Sequence, residues 1–153
     1  MKLQQDLREF VGLLNSSGVE FIVVGGHAVA FHGHPRFTGD IDFFVRPTRA
    51  NADRILGALA TFGFGQLALS ADDFMRPNAV VQLGRPPNRI DLLTSISGVD
   101  FDEAWDSRVS GSLDGLPVAF LGLEALLKNK RASGREKDVA DVAKLMAIKA
   151  KTP

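Results

Sequence analysis

The feature that most constrains this chain is an apolar run ending in two glycines, followed after thirteen residues by a strand with two aspartates. The run Phe21–Val24 predicts a short β-strand, and Gly25 and Gly26 supply the backbone freedom for a tight turn into a short helix. In the second strand, side chains alternate between the two faces, so Asp40 and Asp42 project together. Two neighbouring carboxylates repel each other unless a cation lies between them. Glycine backbone at a helix start suits a phosphate, so the pattern predicts a metal site beside a phosphate site.

This layout resembles the nucleotidyltransferase superfamily, whose polymerase-beta-like palm places Gly-Gly or Gly-Ser, a short helix and Asp-x-Asp in this order. The wording of residues 34–42, His-Pro-Arg-Phe-Thr-Gly-Asp-Ile-Asp, is most similar to a small bacterial branch related to the AbiEii-type toxin nucleotidyltransferases. The resemblance covers about residues 18–145. It implies a mixed β-sheet with helices packed on one side. Many catalytic members carry serine where this chain has Gly26, which favours the toxin-like subgroup.

Composition limits the protein to a few broad classes. The chain has 153 residues and a formal net charge of zero, so no global basic field argues for strong nucleic-acid binding. It contains no cysteine, which excludes disulfides and thiolate metal sites. The N-terminal segment is charged, and no apolar run approaches the roughly 20 residues that span a bilayer. We therefore expect a cytoplasmic protein without a membrane partner.

The order of predicted elements indicates an α+β fold in a single domain, residues 1–153, with a core at about 18–121 and a C-terminal helical element at about 122–148. Helical spacing of apolar residues predicts a helix up to Ser16 and a second one that opens at Pro47 and Thr48 and is closed by Gly63, with Thr48 or Asn51 as its cap. Further along, the pattern predicts a short strand at 64–69, a hairpin with strands at 79–83 and 89–94, a short helix at 101–105 and a strand at 116–121. Ser133 and Gly134 divide the C-terminal element into two helices.

Asp91 is the candidate for a third acidic ligand. It interrupts an apolar strand, and Ile90 and Leu92 on the core face would turn it toward the opposite face. The alternative is a structural one, a solvated acid paired with Arg89. The superfamily places its third acid on a neighbouring strand, so the resemblance implies that Asp40, Asp42 and Asp91 are the catalytic residues and the ligands of Mg2+ or Mn2+. Hard oxygen ligands suit these ions.

Basic residues cluster within residues 128–137, in a protein whose net charge is zero overall. Such a cluster can hold a triphosphate, although two solvated surface helices would give the same pattern. By resemblance, Lys130 would approach the nucleotide phosphates, and Asp138 and Asp141 would orient the basic side chains. Arg36 and Thr38, just before the acidic strand, are further candidates for nucleotide binding, together with Gly25 and Gly26. A packing role for Arg36 and Thr38 is equally compatible with the sequence.

Two hypotheses follow for the function. The first is a metal-dependent enzyme that transfers a nucleoside monophosphate from a nucleoside triphosphate to a hydroxyl of a tRNA, a protein or a small molecule. The second is a degenerate nucleotide-binding domain or one component of a toxin–antitoxin pair, with an antitoxin as its partner. The presence of all three acids and Lys130 favours the enzyme. His27, His32 and His34 do not complete the ligand spacing of a zinc site.

Overall fold

A computed structural model describes residues 5–35, 39–63, 68–85 and 88–151 of the chain. The helices are α1 (Gln5–Ser16), α2 (Gly25–Phe31), α3 (Arg49–Phe62), α4 (Phe101–Asp106), α5 (Leu123–Ser133) and α6 (Glu136–Ala150), and a 3-10 helix spans Ala71–Phe74. The strands are β1 (Phe21–Val24), β2 (Asp40–Val45), β3 (Val80–Arg85), β4 (Asn88–Leu93), β5 (Val109–Leu113) and β6 (Leu116–Phe120). The α+β class with one mixed sheet agrees with the sequence prediction.

The six strands form one sheet in the order β3-β4-β2-β1-β6-β5. Strands β2 and β4 are parallel, as are β1 and β6, and the other neighbouring pairs are antiparallel. The central strand β1 is buried at all four positions, which is why its sequence is continuously apolar rather than alternating. The two parallel pairs bring together segments that are distant in the sequence.

Helices cover both faces of this sheet, and the expectation that they lie on one side is wrong. Phe21 and Val23 of β1 pack with α1 and α3, whereas Ile22 and Val24 pack with α2, α4, α5 and α6. A strand that is apolar on both faces must have both faces covered to keep its side chains from water. The residues of β2 divide in the same way, with Ile41 on the α1 and α3 side. Asp40 and Asp42 therefore lie on the other face, the one that α5 and α6 cover.

Helix α3 shows how local sequence fixes an element beside the sheet. The Thr48 hydroxyl accepts a hydrogen bond from the backbone N–H of Asn51, and Gly63 ends the helix in the left-handed conformation. Both agree with the predicted start and end of this helix. Asn51 is buried and does not cap the helix, because its side-chain amide forms hydrogen bonds with the backbone of Glu20 and Arg46.

Two elements differ from the sequence prediction. The expected strand at 64–69 falls mostly on residues 64–67, which lie outside the described residues, and Ala68 and Leu69 are not in a strand. Strand β5 was not expected, because its sequence Val-Ser-Gly-Ser-Leu has little apolar alternation and it lies at the sheet edge. Within the described ranges, every helix is too short or too polar to cross a membrane.

Candidate functional site

The three predicted acids lie together on two neighbouring strands. Strands β2 and β4 run parallel, and the register places Asp42 beside Asp91 and Asp40 beside Arg89. Ile90 and Leu92 pack into the core on the opposite face, as the alternation predicts. Asp91 is buried, with 8% of its surface exposed, whereas Asp40 and Asp42 are half-buried. The sheet thus concentrates negative charge at the start of β2.

The ionised form of the Asp42 carboxyl group is disfavoured in this cluster. Burial raises the pKa of its carboxyl to about 6, and the negative charges of Asp91 and Asp40 and a hydrogen bond with Asp91 act in the same direction. The positive charge of Arg89 opposes the rise only in part. Burial and neighbouring negative charge both disfavour the ionised form of a carboxyl group, and a nearby positive charge favours it. The site would therefore gain from an added cation.

Arg89 is the cation already present in the cluster. Its Nη2 donates a hydrogen bond to Oδ2 of Asp40 at 2.8 Å and approaches Oδ2 of Asp91 at 3.3 Å, and its Nε lies 3.0 Å from Oδ1 of Asp91. The ion pair considered for Asp91 in the sequence is thus formed, alongside the acid cluster. Among the described residues, no group of three or more histidines and acids is arranged to hold a metal ion.

Gly25 brings the backbone close to the acids. Its φ of +67° lies in the left-handed region, and a Cβ added there would be 2.5 Å from Oδ2 of Asp42. A glycine is required at this position for both reasons. Helix α2 begins at Gly25 itself, so Gly25 and Gly26 form the first residues of the helix rather than a turn before it.

Lys130 is held by a buried polar network between α5 and α6. Its Nζ lies 3.0 Å from Oδ1 of Asp138 and 3.1 Å from Oδ2 of Asp141, and all three side chains are almost fully buried. Asp138 also accepts hydrogen bonds from Ser133 at 2.7 Å and from Nε of Arg135 at 2.8 Å. Burial alone would raise the pKa of Asp138, but the hydrogen bonds from Arg135, Ser133 and Lys130 outweigh it and hold the pKa well below its usual range.

A cleft of about 290 Å3 lies between Asp42 of the acid cluster and the network around Lys130; Asp40 and Asp91 are not among the residues that line it. Gly25 and Asp42 line one wall, and Lys130 and Arg135 line the other. Between them lie neutral polar side chains that the sequence analysis did not select: Asn78, Ser95, Ser97, Asn129 and Ser133. Asn78, Ser95 and Ser97 lie outside helices and strands, where asparagine and serine are frequent, and Asn129 and Ser133 lie in α5, so the sequence carried no signal that singled them out.

The other predicted residues divide into those outside the described ranges and those with structural roles. Arg36 and Thr38 lie outside the described residues, so their proposed nucleotide contacts stay predictions. His27 is buried, and burial lowers the pKa of its imidazole. A hydrogen bond with the backbone of Asp40 raises this pKa and offsets the effect of burial only in part. His32 bonds the carbonyl of Leu121 at 2.7 Å. These two histidines support the backbone around the site.

This chain matches one family model and is similar to several solved structures. Residues 3–152 match a family model described as "Nucleotidyl transferase of unknown function (DUF2204)". A comparison with curated proteins found no match. A nucleotidyltransferase-type protein from Thermotoga maritima superposes with a TM-score of 0.61 at 17% identity, covering 92% of this chain and 90% of that one.

Two antibiotic-modifying enzymes have a similar fold. The lincosamide antibiotic adenylyltransferase LnuA, solved with lincomycin bound, gives a TM-score of 0.53 at 15% identity, with 97% of this chain and 99% of that one covered. ANT(2'')-Ia, solved in complex with adenylyl-2''-tobramycin, gives a TM-score of 0.53 at 13% identity, with 94% of this chain and 92% of that one covered. At these identities the similarity shows the shared fold.

Proposed function

Because this chain belongs to the nucleotidyl transferase family DUF2204, we propose that it transfers a nucleoside monophosphate from a nucleoside triphosphate to an acceptor hydroxyl. The acceptor oxygen would attack the α-phosphorus, its proton would be lost, and pyrophosphate would leave. The observation that carries the proposal is the register of β2 and β4, which sets Asp42 beside Asp91 with Asp40 on the same face. Transfer of this kind depends mainly on positioning and charge neutralisation, which such a cluster can provide.

We further propose that Asp40, Asp42 and Asp91 hold a divalent cation, Mg2+ or Mn2+. Their chemistry fits a hard cation, because all the donors are carboxylate oxygens. Two observations support the fit: the pKa of Asp42 is raised to about 6, and the buried Oδ1 of Asp91, which lies 3.0 Å from Nε of Arg89, makes no hydrogen bond within the described part of the chain. When bound, such an ion activates the acceptor hydroxyl and neutralises charge on the phosphates.

The opposite wall of the cleft would bind the triphosphate. An ammonium group has three N–H donors, and Lys130 directs two of them toward Asp138 and Asp141, which leaves one for a phosphate oxygen. Arg135 lines the same cleft with 69% of its side chain exposed, so its guanidinium can reach a ligand at lower desolvation cost. Gly25 would let phosphate approach the backbone closely. Gly26, Arg36 and Thr38 stay proposed contacts from the sequence.

A small hydroxyl compound is the acceptor that we favour. LnuA and ANT(2'')-Ia, which share the fold, were solved with antibiotics or their adenylylated product. The cleft of about 290 Å3 is lined by neutral amide and hydroxyl groups that suit hydrogen bonding to such a compound. The zero net charge argues against tRNA as an acceptor, since tRNA binding relies on a basic surface. A protein acceptor and an antitoxin partner stay predictions.

The test is transfer of label from each of the four α-labelled nucleoside triphosphates in the presence of Mg2+ or Mn2+. Separate reactions contain aminoglycosides and lincosamides, total tRNA, or a protein lysate. We expect label on a small hydroxyl compound, with Asp42→Asn and Asp91→Asn reducing the rate by about 10²-fold or more. Asp106→Asn, which changes an exposed acid at the end of α4, is the matched control.

The second candidate is nucleotide binding without catalysis. The contacts of Arg89 with Asp40 and Asp91 favour it, because they occupy oxygens that a cation would use. It predicts that wild-type protein binds a triphosphate in calorimetry yet labels none of the acceptors. Transfer that requires Asp42 and Asp91 would exclude it.

A further inference from the structure

We propose that Arg89 is an internal counter-cation of the acid cluster, and that a divalent cation binds only as the Arg89 guanidinium releases Asp40 and Asp91. Arg89 would then be a positioning residue, which holds the carboxylates together and sets the affinity of the site for its cation. The inference rests on the proposed function to the extent that it takes a divalent cation as the ligand of the acids.

The strand register places Arg89 over the acids. Arg89 and Asp91 are two positions apart on β4, so their side chains project from the same face. On the β2 side, Arg89 is paired with Asp40. On the β3 side, it is paired with Gly84, which has no side chain to compete for the space above the sheet. The arginine is therefore bordered by a carboxylate on the β2 side and by a glycine on the β3 side.

The contacts of Arg89 are those of a built ion pair rather than a chance surface contact. Its Nη2 lies 2.8 Å from Oδ2 of Asp40, and its Nε lies 3.0 Å from Oδ1 of Asp91. The Nε atom and that Oδ1 atom are both buried from solvent, and neither makes a hydrogen bond within the described residues, so the attraction between them is that of opposite charges. A guanidinium stays charged at every pH at which the protein is folded, so deprotonation cannot remove this charge.

Arg89 and a divalent cation require the same oxygens. A cation held by Asp40 and Asp91 would lie against the guanidinium, and repulsion between like charges is strong where water is excluded. The two therefore exclude each other at this position. Removal of Arg89 should consequently tighten cation binding, whereas a merely structural role for Arg89 predicts that its removal loosens the site and weakens binding.

The experiment measures Mn2+ binding to the whole chain without nucleotide, by the electron paramagnetic resonance signal of free Mn2+. The proteins are wild type, Arg89→Gln, Arg89→Lys and Arg135→Gln. Arg135 is the matched control, because it lines the same cleft and interacts with the charge of Asp42 while its hydrogen bonds go to Asp138. We expect Arg89→Gln to bind Mn2+ about tenfold more tightly or better, and Arg135→Gln to change the affinity by less than about threefold.

Arg89→Lys keeps a positive charge but cannot bridge two carboxylates with a planar fork, so we expect an affinity between those of wild type and Arg89→Gln. If circular dichroism shows that Arg89→Gln is unfolded, Arg89→Lys decides by the same criterion: tighter binding than wild type supports the proposal. Equal or weaker Mn2+ binding by a folded Arg89 variant overturns it, as does an equal gain in Arg135→Gln.

The outcome for Arg89 is separable from that for the proposed function. Tighter Mn2+ binding by Arg89→Gln, with no nucleotidyl transfer by wild type, would support the role of Arg89 and contradict the enzyme. Transfer by wild type with unchanged Mn2+ affinity in the variants would contradict the role of Arg89 alone. Absence of Mn2+ binding by every variant would overturn both the counter-cation role and the dependence on a cation.

Discussion

Replacing Asp42 by asparagine should stabilise the protein at neutral pH while it impairs cation binding. The pKa of Asp42 is raised from 3.8 to about 6 by burial and by the neighbouring charges of Asp91 and Asp40. The folded protein therefore binds the proton more tightly than the unfolded chain does, and ionisation of Asp42 above pH 6 costs free energy of folding. Asparagine has a similar shape and no charge to ionise.

The magnitude follows from the size of the pKa shift. A shift of about two units corresponds to about 3 kcal/mol at 1.36 kcal/mol per unit, and half-exposure of the side chain with solvent screening reduces this to about 1–2 kcal/mol. For a raised pKa, the stability of the folded state falls as pH rises from about 4 to about 6 and is constant above that. We thus expect Asp42→Asn to exceed wild type by about 1–2 kcal/mol at pH 7.5 and to match it near pH 4.

Urea denaturation in the presence of a chelator measures both free energies of unfolding, with Asp106→Asn as the exposed-acid control. Added Mn2+ should then stabilise wild type, by about 2.7 kcal/mol at a hundred times its Kd, and leave Asp42→Asn almost unchanged. A stability difference that is the same at pH 4 and pH 7.5 would refute the electrostatic reasoning. A variant less stable than wild type at pH 7.5 would refute it as well.

Three further substitutions test the other parts of the cleft. Gly25→Ala should lower the free energy of unfolding by about 1–2 kcal/mol, because residue 25 has a left-handed backbone, and it should weaken Mn2+ binding by displacing Asp42. The control is Gly57→Ala, where no atom lies within 4 Å of the added Cβ, and it should be neutral or stabilising. Urea denaturation measures both stabilities. Lys130→Met should lower the unfolding free energy by about 3–5 kcal/mol, because it removes the ammonium group that lies against two buried carboxylates. Asp138→Asn should lower stability at pH 7 and flatten the loss of stability below about pH 4, since a lowered pKa contributes stability that disappears as pH falls. Acid titration followed by circular dichroism distinguishes a flattened curve from one that is merely shifted down.

The sequence by itself determined most of the elements and the faces of the acidic strands. Alternation depends only on local strand geometry, so the common face of Asp40 and Asp42, and the orientation of Asp91 opposite Ile90 and Leu92, were predictable. Capping and glycine signals placed the ends of α3 and the break between α5 and α6 for the same local reason.

Only the tertiary structure decided which charges on different elements meet. Strand β4 lies beside β2 in parallel, and this pairing brings Arg89 to Asp40 across 49 positions of sequence. The burial of Lys130 also depends on the packing of α5 against α6, since an exposed basic helix has the same local sequence pattern. Helices cover both faces of the sheet because the strands together carry apolar side chains on both faces. Local pattern specifies where a side chain points along its own element, whereas contact between elements depends on long-range packing that no short segment encodes.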